Sequence, residues 1–135
     1  MPIVDTPIEG LKIFEPKVFE DDRGYFFESY NFESFKKEGI NCSFVQDNQS
    51  ISQYGTIRGL HFQEGEFAQA KLIRVAKGEV LDVVVDMRPN SSTYLKQFSY
   101  LLSGENNHQL FVPRGFAHGF TSLSNEVVFD YKCDN

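Results

Sequence analysis

The chain has three histidines, and one of them falls inside the stretch RGLHFQ, residues 58–63, where strand-forming residues carry Arg58 and His61 on either side of a glycine and a leucine. An imidazole titrates near neutrality, so it can serve as a base, a metal ligand or a hydrogen-bond donor. A β-barrel metal site built on paired histidines would show HxH, an acid shortly after it and a third histidine on a later strand. Here His61 is followed by Phe62 and Gln63, His108 sits in the turn-like GENNHQ, and His118 stands alone in FAHGF. Cys42 and Cys133 lie far apart without CxxC spacing. This pattern supplies no ligand set, so neither a metal nor a cofactor is expected.

A lone histidine in a strand is more often a core or rim residue than a catalyst, but His61 has company. Arg58, Lys71 and Arg74 fall on adjoining strand segments of a chain whose 13 basic and 19 acidic residues give a net charge of −6. The plain reading is the basic outer face of a hairpin. The sharper one is a pocket for an anionic ligand, with arginine gripping phosphate through its planar fork and a histidine beside the bound molecule. The overall negative charge opposes the long-range attraction that nucleic-acid and anionic-membrane binders use, so any phosphate must be met by such a local cluster.

At 135 residues and 41% hydrophobic, the chain is sized for a single domain, residues 1–135, with a real core. The opening MPIVDTPIEGLKIFEPK lacks a basic region followed by an apolar one. With isolated cysteines, this leads us to expect a reducing, cytoplasmic setting. No apolar run approaches the roughly 18 residues that a membrane-spanning helix needs.

The elements that must position these residues are mostly strands. TIRGLHFQ, AKLIRVAKG, EVLDVVVDMR, QFSYLLS, HQLFVP, AHGFTSLS and EVVFDYK are short runs rich in β-branched and aromatic residues, separated by EGE, PNSS, SGENN and PRG. Seven such strands at hairpin spacing indicate an all-β sandwich or barrel of antiparallel strands. One helix is expected, NFESFKKEG, with Asn31 as N-cap, Phe32 and Phe35 on one side, and Gly39 at its stop. It should be a short surface helix. In EVLDVVVDMR, alternation puts Leu81, Val83, Val85 and Met87 on one face and Asp82, Val84 and Asp86 on the other. The acids could belong to a solvated outer face or to a polar cavity inside a barrel, and parity alone does not choose.

The segments DDRGYFFESYN, FVQDNQSIS, TIRGLHFQ, QAKLIRVAKGEVLDVVVDMR, STY, SGENNHQLFVPRGFAHGF and YK occur in the order seen in the dTDP-4-dehydrorhamnose 3,5-epimerase family. The chain resembles that family from about residue 8 to residue 132. The resemblance implies a metal-free, cupin-like jelly-roll barrel that forms a homodimer with shared active sites. It also implies an isomerase acting on a dTDP-linked 4-keto-6-deoxy sugar in dTDP-rhamnose biosynthesis.

By this resemblance His61 is the base that removes a proton beside the ketone, Lys71 holds the developing enolate oxygen, and Tyr131 returns the proton from the opposite face. Arg58, Gln46 and Asn48 would line the diphosphate and sugar site, with His118 facing the same region. Arg23, Phe26 and Glu28 would come from the neighbouring subunit to contact the nucleotide, an aromatic ring being available to stack on thymine.

Two features sit awkwardly with it. Strict alternation puts Arg58 and His61 on opposite faces, so both reach one pocket only if Gly59 marks a bulge or side-chain length compensates for the pleat. Family members usually continue past YK into a tail carrying an aspartate that orients the catalytic histidine. Without it, Asp82, Asp86 or another group would take that role, or His61 would be a weaker base. Alternative activities are inversion of a single carbon, 3,4-ketoisomerisation of a nucleotide sugar, and non-catalytic binding of one.

Overall fold

A computed structural model describes residues 2–135. Its strands are β1 (Ile3–Asp5), β2 (Lys12–Phe14), β3 (Phe19–Asp21), β4 (Gly24–Phe26), β5 (Gln46–Ser52), β6 (Ile57–His61), β7 (Lys71–Lys77), β8 (Glu79–Asp86), β9 (Gln97–Ser103), β10 (Gln109–Val112), β11 (Phe116–Ser122) and β12 (Val127–Cys133). The single α-helix, α1, spans Phe32–Lys37. One sheet has the order β1-β2-β10-β7-β12-β5, a second β6-β11-β8-β9, and β3 pairs with β4 in a separate hairpin. All neighbours run antiparallel.

The seven strands expected from residue 56 onward all form. The segment before β6 contributes five more, four of them only three residues long and the fifth, β5, with the polar sequence QDNQSIS. Strand β5 has little intrinsic preference for extended structure. It is held because each of its residues from Gln46 to Ser52 pairs with β12.

Between the two large sheets lies a core that includes Ile73, Val75, Val80, Val84, Leu102, Leu110, Val127 and Phe129. Burying each such side chain contributes about 1.5 to 3 kcal/mol before chain entropy is counted. A second cluster, Phe14, Phe35, Ile40, Ala70, Leu72 and Phe111, covers the other face of the larger sheet. Asn31 caps α1, its Oδ1 accepting from Ser34 N at 3.0 Å. Helix α1 departs from expectation in one respect: Phe35 is buried in this second cluster, whereas Phe32 is exposed. With only six residues, the helix has one turn's worth of sheet-facing surface, and Phe35 occupies it.

Strand β8 answers the parity question. Val80, Asp82, Val84 and Asp86 point inward and are each fully buried, so the acids belong to the interior and Leu81, Val83 and Val85 form the outer face. A buried carboxylate needs partners, and the two find different ones. Asp86 Oδ1 accepts from Arg88 N and Nε at 3.0 and 2.9 Å, while Oδ2 accepts from Ser91 and Thr93 hydroxyls at 2.6 Å each. These bonds outweigh burial and hold the Asp86 carboxyl well below the usual carboxylate range. They also tie the loop after β8 to the amino-terminal segment, through Arg88 Nη2 donating to Glu9 O at 2.8 Å.

Candidate active site

The site forms where the open edges of the two sheets, β5 and β6, approach one another. Arg58 pairs with Phe120 and His61 pairs with His118, so the two residues Gly59 and Leu60 stand opposite the single Gly119. That extra residue is a β-bulge. It shifts the alternation by one, and Arg58 and His61 consequently share the face on which His118 and Phe120 lie. Gly59 adopts φ +107°, a region few side chains tolerate, and its Cα packs directly on the β11 backbone.

A cavity of about 200 Å³ follows, lined by Ser50, Arg58, His61, Lys71, His118 and Tyr131 over a floor of Phe120 and Phe129. It opens into a wider depression of about 470 Å³ that shares His61, Lys71 and Tyr131 and adds Gln69 and Phe116. Lys71 enters from β7, on the same face as Ile73 and Val75. Tyr131 enters from β12, opposite Ile73 in register, and Lys71 Nζ lies 5.3 Å from the centre of its ring. Burial pushes the Lys71 ammonium below its ordinary value, with Cys133 and Asp82 opposing. Burial also raises the Tyr131 phenol, helped by Cys133, so the phenol keeps its proton at neutral pH.

His118 is buried, stacks on Phe129 with ring centres 6.1 Å apart, and bonds through Nε2 to Asp82 Oδ1 at 2.7 Å. The second histidine of the site therefore has a carboxyl partner. His61 does not: Asp82 is engaged by His118 and Asp86 by Arg88, Ser91 and Thr93. Of the alternatives for orienting His61, neither Asp82 nor Asp86 bonds to it, because their partners are His118 and the Arg88, Ser91 and Thr93 groups.

The other expected residues divide. Arg58 reaches the cavity with Nε donating to Ser52 Oγ at 3.0 Å, leaving the rest of its guanidinium free for a ligand. Gln46 and Asn48 lie along β5, joined to each other at 3.0 Å, with Asn48 paired in register to Tyr131. Gln46 is exposed, and neither lines the cavity that holds His61. Arg74 faces the opposite side of its sheet, 3.6 Å from Asp130, so the cationic cluster is Arg58 and Lys71 without Arg74: alternation along β7 separates Lys71 from Arg74. Arg23 and Phe26 lie on the β3–β4 hairpin around a separate hollow, with Glu28 exposed just beyond it. Sequence reasoning missed Ser50, Ser52 and the Asp82–His118 pair. The only available signal for the pair was an acid inside a valine run.

The segment around Tyr131 is anchored by pairing and side-chain bonds. Tyr131 lies between β7 and β5, Asp134 Oδ1 accepts from Ala70 N at 2.8 Å, and Asp134 Oδ2 accepts from Arg114 Nε at 3.1 Å.

The two antiparallel sheets form a cupin-like barrel with a polar, histidine-bearing cavity at one open edge. The sequence profile described as dTDP-4-dehydrorhamnose 3,5-epimerase matches residues 5–135. The dTDP-4-dehydrorhamnose 3,5-epimerase of Escherichia coli is 52% identical over 136 aligned positions, covering 100% of this chain and 74% of its own. A crystal structure of the enzyme of that name from Elizabethkingia anophelis superposes with a TM-score of 0.96 at 55% identity, covering 100% of this chain and 74% of the other. The dTDP-6-deoxy-D-glucose-3,5-epimerase of Legionella pneumophila, crystallised with dTDP-4-keto-L-rhamnose, gives 0.95 at 47% identity, covering 99% and 71%. The chain belongs to the dTDP-4-dehydrorhamnose 3,5-epimerase family and is an isomerase of that kind.

Proposed function

We propose that this chain inverts C3 and C5 of dTDP-4-dehydro-6-deoxyglucose, with His61 as base, Lys71 as enolate stabiliser and Tyr131 as acid. The observation that carries the reading is that these three side chains, from β6, β7 and β12, line one cavity. A proton beside a ketone becomes acidic when the resulting enolate oxygen meets a positive charge. Lys71, half-buried and without a carboxylate bonded to its ammonium among the described residues, supplies that charge in a site where it acts more strongly than in water. Imidazole is the side chain most often used as a general base, and His61 stands at the mouth of this cavity. The proton then returns from the Tyr131 phenol on the opposite face. Because C3 and C5 both flank the C4 ketone, one base and one enolate stabiliser serve both carbons if the ring turns between steps.

Arg58 is assigned to the diphosphate, together with Gln46 and Asn48 from β5 and with His118 at the sugar. Arg23, Phe26 and Glu28 are assigned to the nucleotide of a neighbouring subunit's site. Support comes from the β3–β4 hairpin: Phe19, Tyr25 and Phe26 are 55, 60 and 72% exposed, an arrangement suited to insertion into a second copy of this chain. No helix among the described residues is long and apolar enough to cross a membrane. Two free thiols fit a reducing compartment, and we place the enzyme in the cytoplasm with a nucleotide sugar as its partner.

Incubation with dTDP-4-dehydro-6-deoxyglucose in deuterated water, followed by NMR, tests the reading. Label at both C3 and C5 is expected. Label at one carbon only would assign a single-carbon epimerase, a shifted ketone a ketoisomerase, and binding without any exchange a non-catalytic protein.

A further inference from the structure

Among the interior-facing groups, Asp82 has no role in the chemistry described so far. It lies at the centre of β8, is fully buried, and is flanked in register by Phe120 on β11 and Tyr100 on β9. Its Oδ1 is 2.7 Å from His118 Nε2, and its Oδ2 has no hydrogen-bond partner among the described residues. His118 is in turn the cross-strand neighbour of His61. Two imidazoles thus face one cavity, and a carboxyl group holds only one of them.

We infer that Asp82 is a positioning residue that commits His118 to donating a hydrogen bond into the cavity from Nδ1, leaving the base role to His61 alone. The inference rests on the epimerase reading above for its consequence, though not for its geometry.

Proton counting makes the case. The pair can hold two protons between its carboxyl and imidazole groups, or one. With two it is neutral overall: one proton lies between Asp82 Oδ1 and His118 Nε2, on whichever atom, and the other must be on Nδ1. With one proton, the carboxylate is charged, Nε2–H donates to it, and Nδ1 presents a lone pair. Burial favours the first state, since a carboxylate taken wholly out of water with one oxygen unpaired is far more costly than a carboxyl group whose unpaired atom is carbonyl-like. In agreement, burial raises the Asp82 carboxyl above its ordinary range, opposed in part by His118 and Lys71. The groups facing the pair from other strands are Arg58 and His61 on β6, Lys71 on β7, Tyr100 on β9 and Tyr131 on β12. The Tyr100 hydroxyl is already engaged by His108 Nδ1 at 2.7 Å. The bond at Nε2 and the stacking on Phe129 fix the ring plane, so Nδ1 is the nitrogen left for a ligand. A donor fixed there complements Lys71 at an oxygen that becomes negative, and it cannot compete with His61 for the substrate proton.

Nitrogen-15 NMR of the histidines in the wild-type protein at pH 7 tests the protonation state without any variant and without turnover. Nδ1 of His118 is expected to carry hydrogen, and a lone-pair shift at Nδ1 would overturn the inference. Two variants test the consequence. In Asp82→Asn the side-chain amide can donate to Nε2 and keep Nδ1–H, so kcat should stay within about threefold of wild type. In Asp82→Leu the bond is gone, and kcat should fall on the order of 10²-fold with KM nearly unchanged. Wild-type turnover in the leucine variant, or an asparagine variant as slow as the leucine one, would contradict the assignment. If the leucine variant does not fold, the NMR result and the asparagine variant decide. Failure of the wild type to exchange solvent deuterium would count against the epimerase reading and leave the NMR result standing.

Discussion

Gly59 and Gly119 meet backbone to backbone across β6 and β11. A Cβ on Gly59 would stand 2.7 Å from Gly119 Cα and 2.7 Å from the His118 carbonyl oxygen, and one on Gly119 would stand 2.7 Å from the Arg58 carbonyl oxygen. Those distances are too short for any real Cβ, and the atoms concerned are backbone, which yields only by moving a strand. The contact lets the bulge carry Arg58 and His61 to one face. Gly59→Ala or Gly119→Ala should therefore separate β6 from β11 and cost on the order of 10²-fold in kcat/KM through displacement of His61. Assaying both variants beside their thermal unfolding checks this. Undiminished turnover would mean that the bulge does not position the base.

Lys71→Gln keeps most of the side-chain volume and removes the charge. We expect a loss on the order of 10²- to 10³-fold in kcat, with dTDP affinity changed far less, because the phosphate grip is assigned to Arg58. In the wild type, burial lowers the ammonium's proton affinity, so the alkaline limb of kcat/KM should begin below the ordinary lysine value. That limb should disappear in the glutamine variant, as a pH–rate series would show.

These residues also show how far the sequence was legible. β6 to β12 announced themselves by β-branched and aromatic runs between turn formers, because both sheets bury one face of each. β5 did not: QDNQSIS is extended only because β12 pairs with it, which is a tertiary effect. The inward turn of Asp82 and Asp86 was invisible to parity, since valines occupy both faces of β8 and burial of the acids depends on His118, Arg88, Ser91 and Thr93. His61, Lys71, Tyr131, Arg58 and His118, each singled out through its motif, line one cavity. That Arg58 and His61 share a face depended on a bulge that Gly59 permits but does not by itself announce. The bond from Asp82 to His118 links residues 36 positions apart, which only the fold brings together.

Asp86 makes acid stability a test of the loop that follows β8. Its carboxyl titrates lower in the folded chain than in the unfolded one, so its contribution is fully present above the unfolded value, near 3.9 for a free aspartate, and fades as pH falls toward the folded value. Asp86→Asn should destabilise the fold at pH 7 by about 2 to 4 kcal/mol. The variant's stability should also vary less than wild type between about pH 5 and pH 2. Denaturant unfolding across that range checks both, and parallel stability curves would disprove the assignment.

Tyr131→Phe removes a proton donor at almost no cost in volume. It should slow the formation of inverted product more than it slows proton removal, so unreacted substrate recovered from deuterated water should carry more label relative to product than with the wild type. Equal losses would instead indicate a packing role for the ring beside Lys71.

The assignment of His61 as base is tested most directly by following hydrogen exchange in His61→Ala while measuring dTDP binding by calorimetry. His61 is exposed at the end of β6, so its removal opens no buried cavity, and the diphosphate is assigned to Arg58. We expect exchange at C3 and C5 to fall to the uncatalysed level with dTDP affinity within about threefold of wild type. An alanine variant that keeps most of its exchange activity would contradict the account.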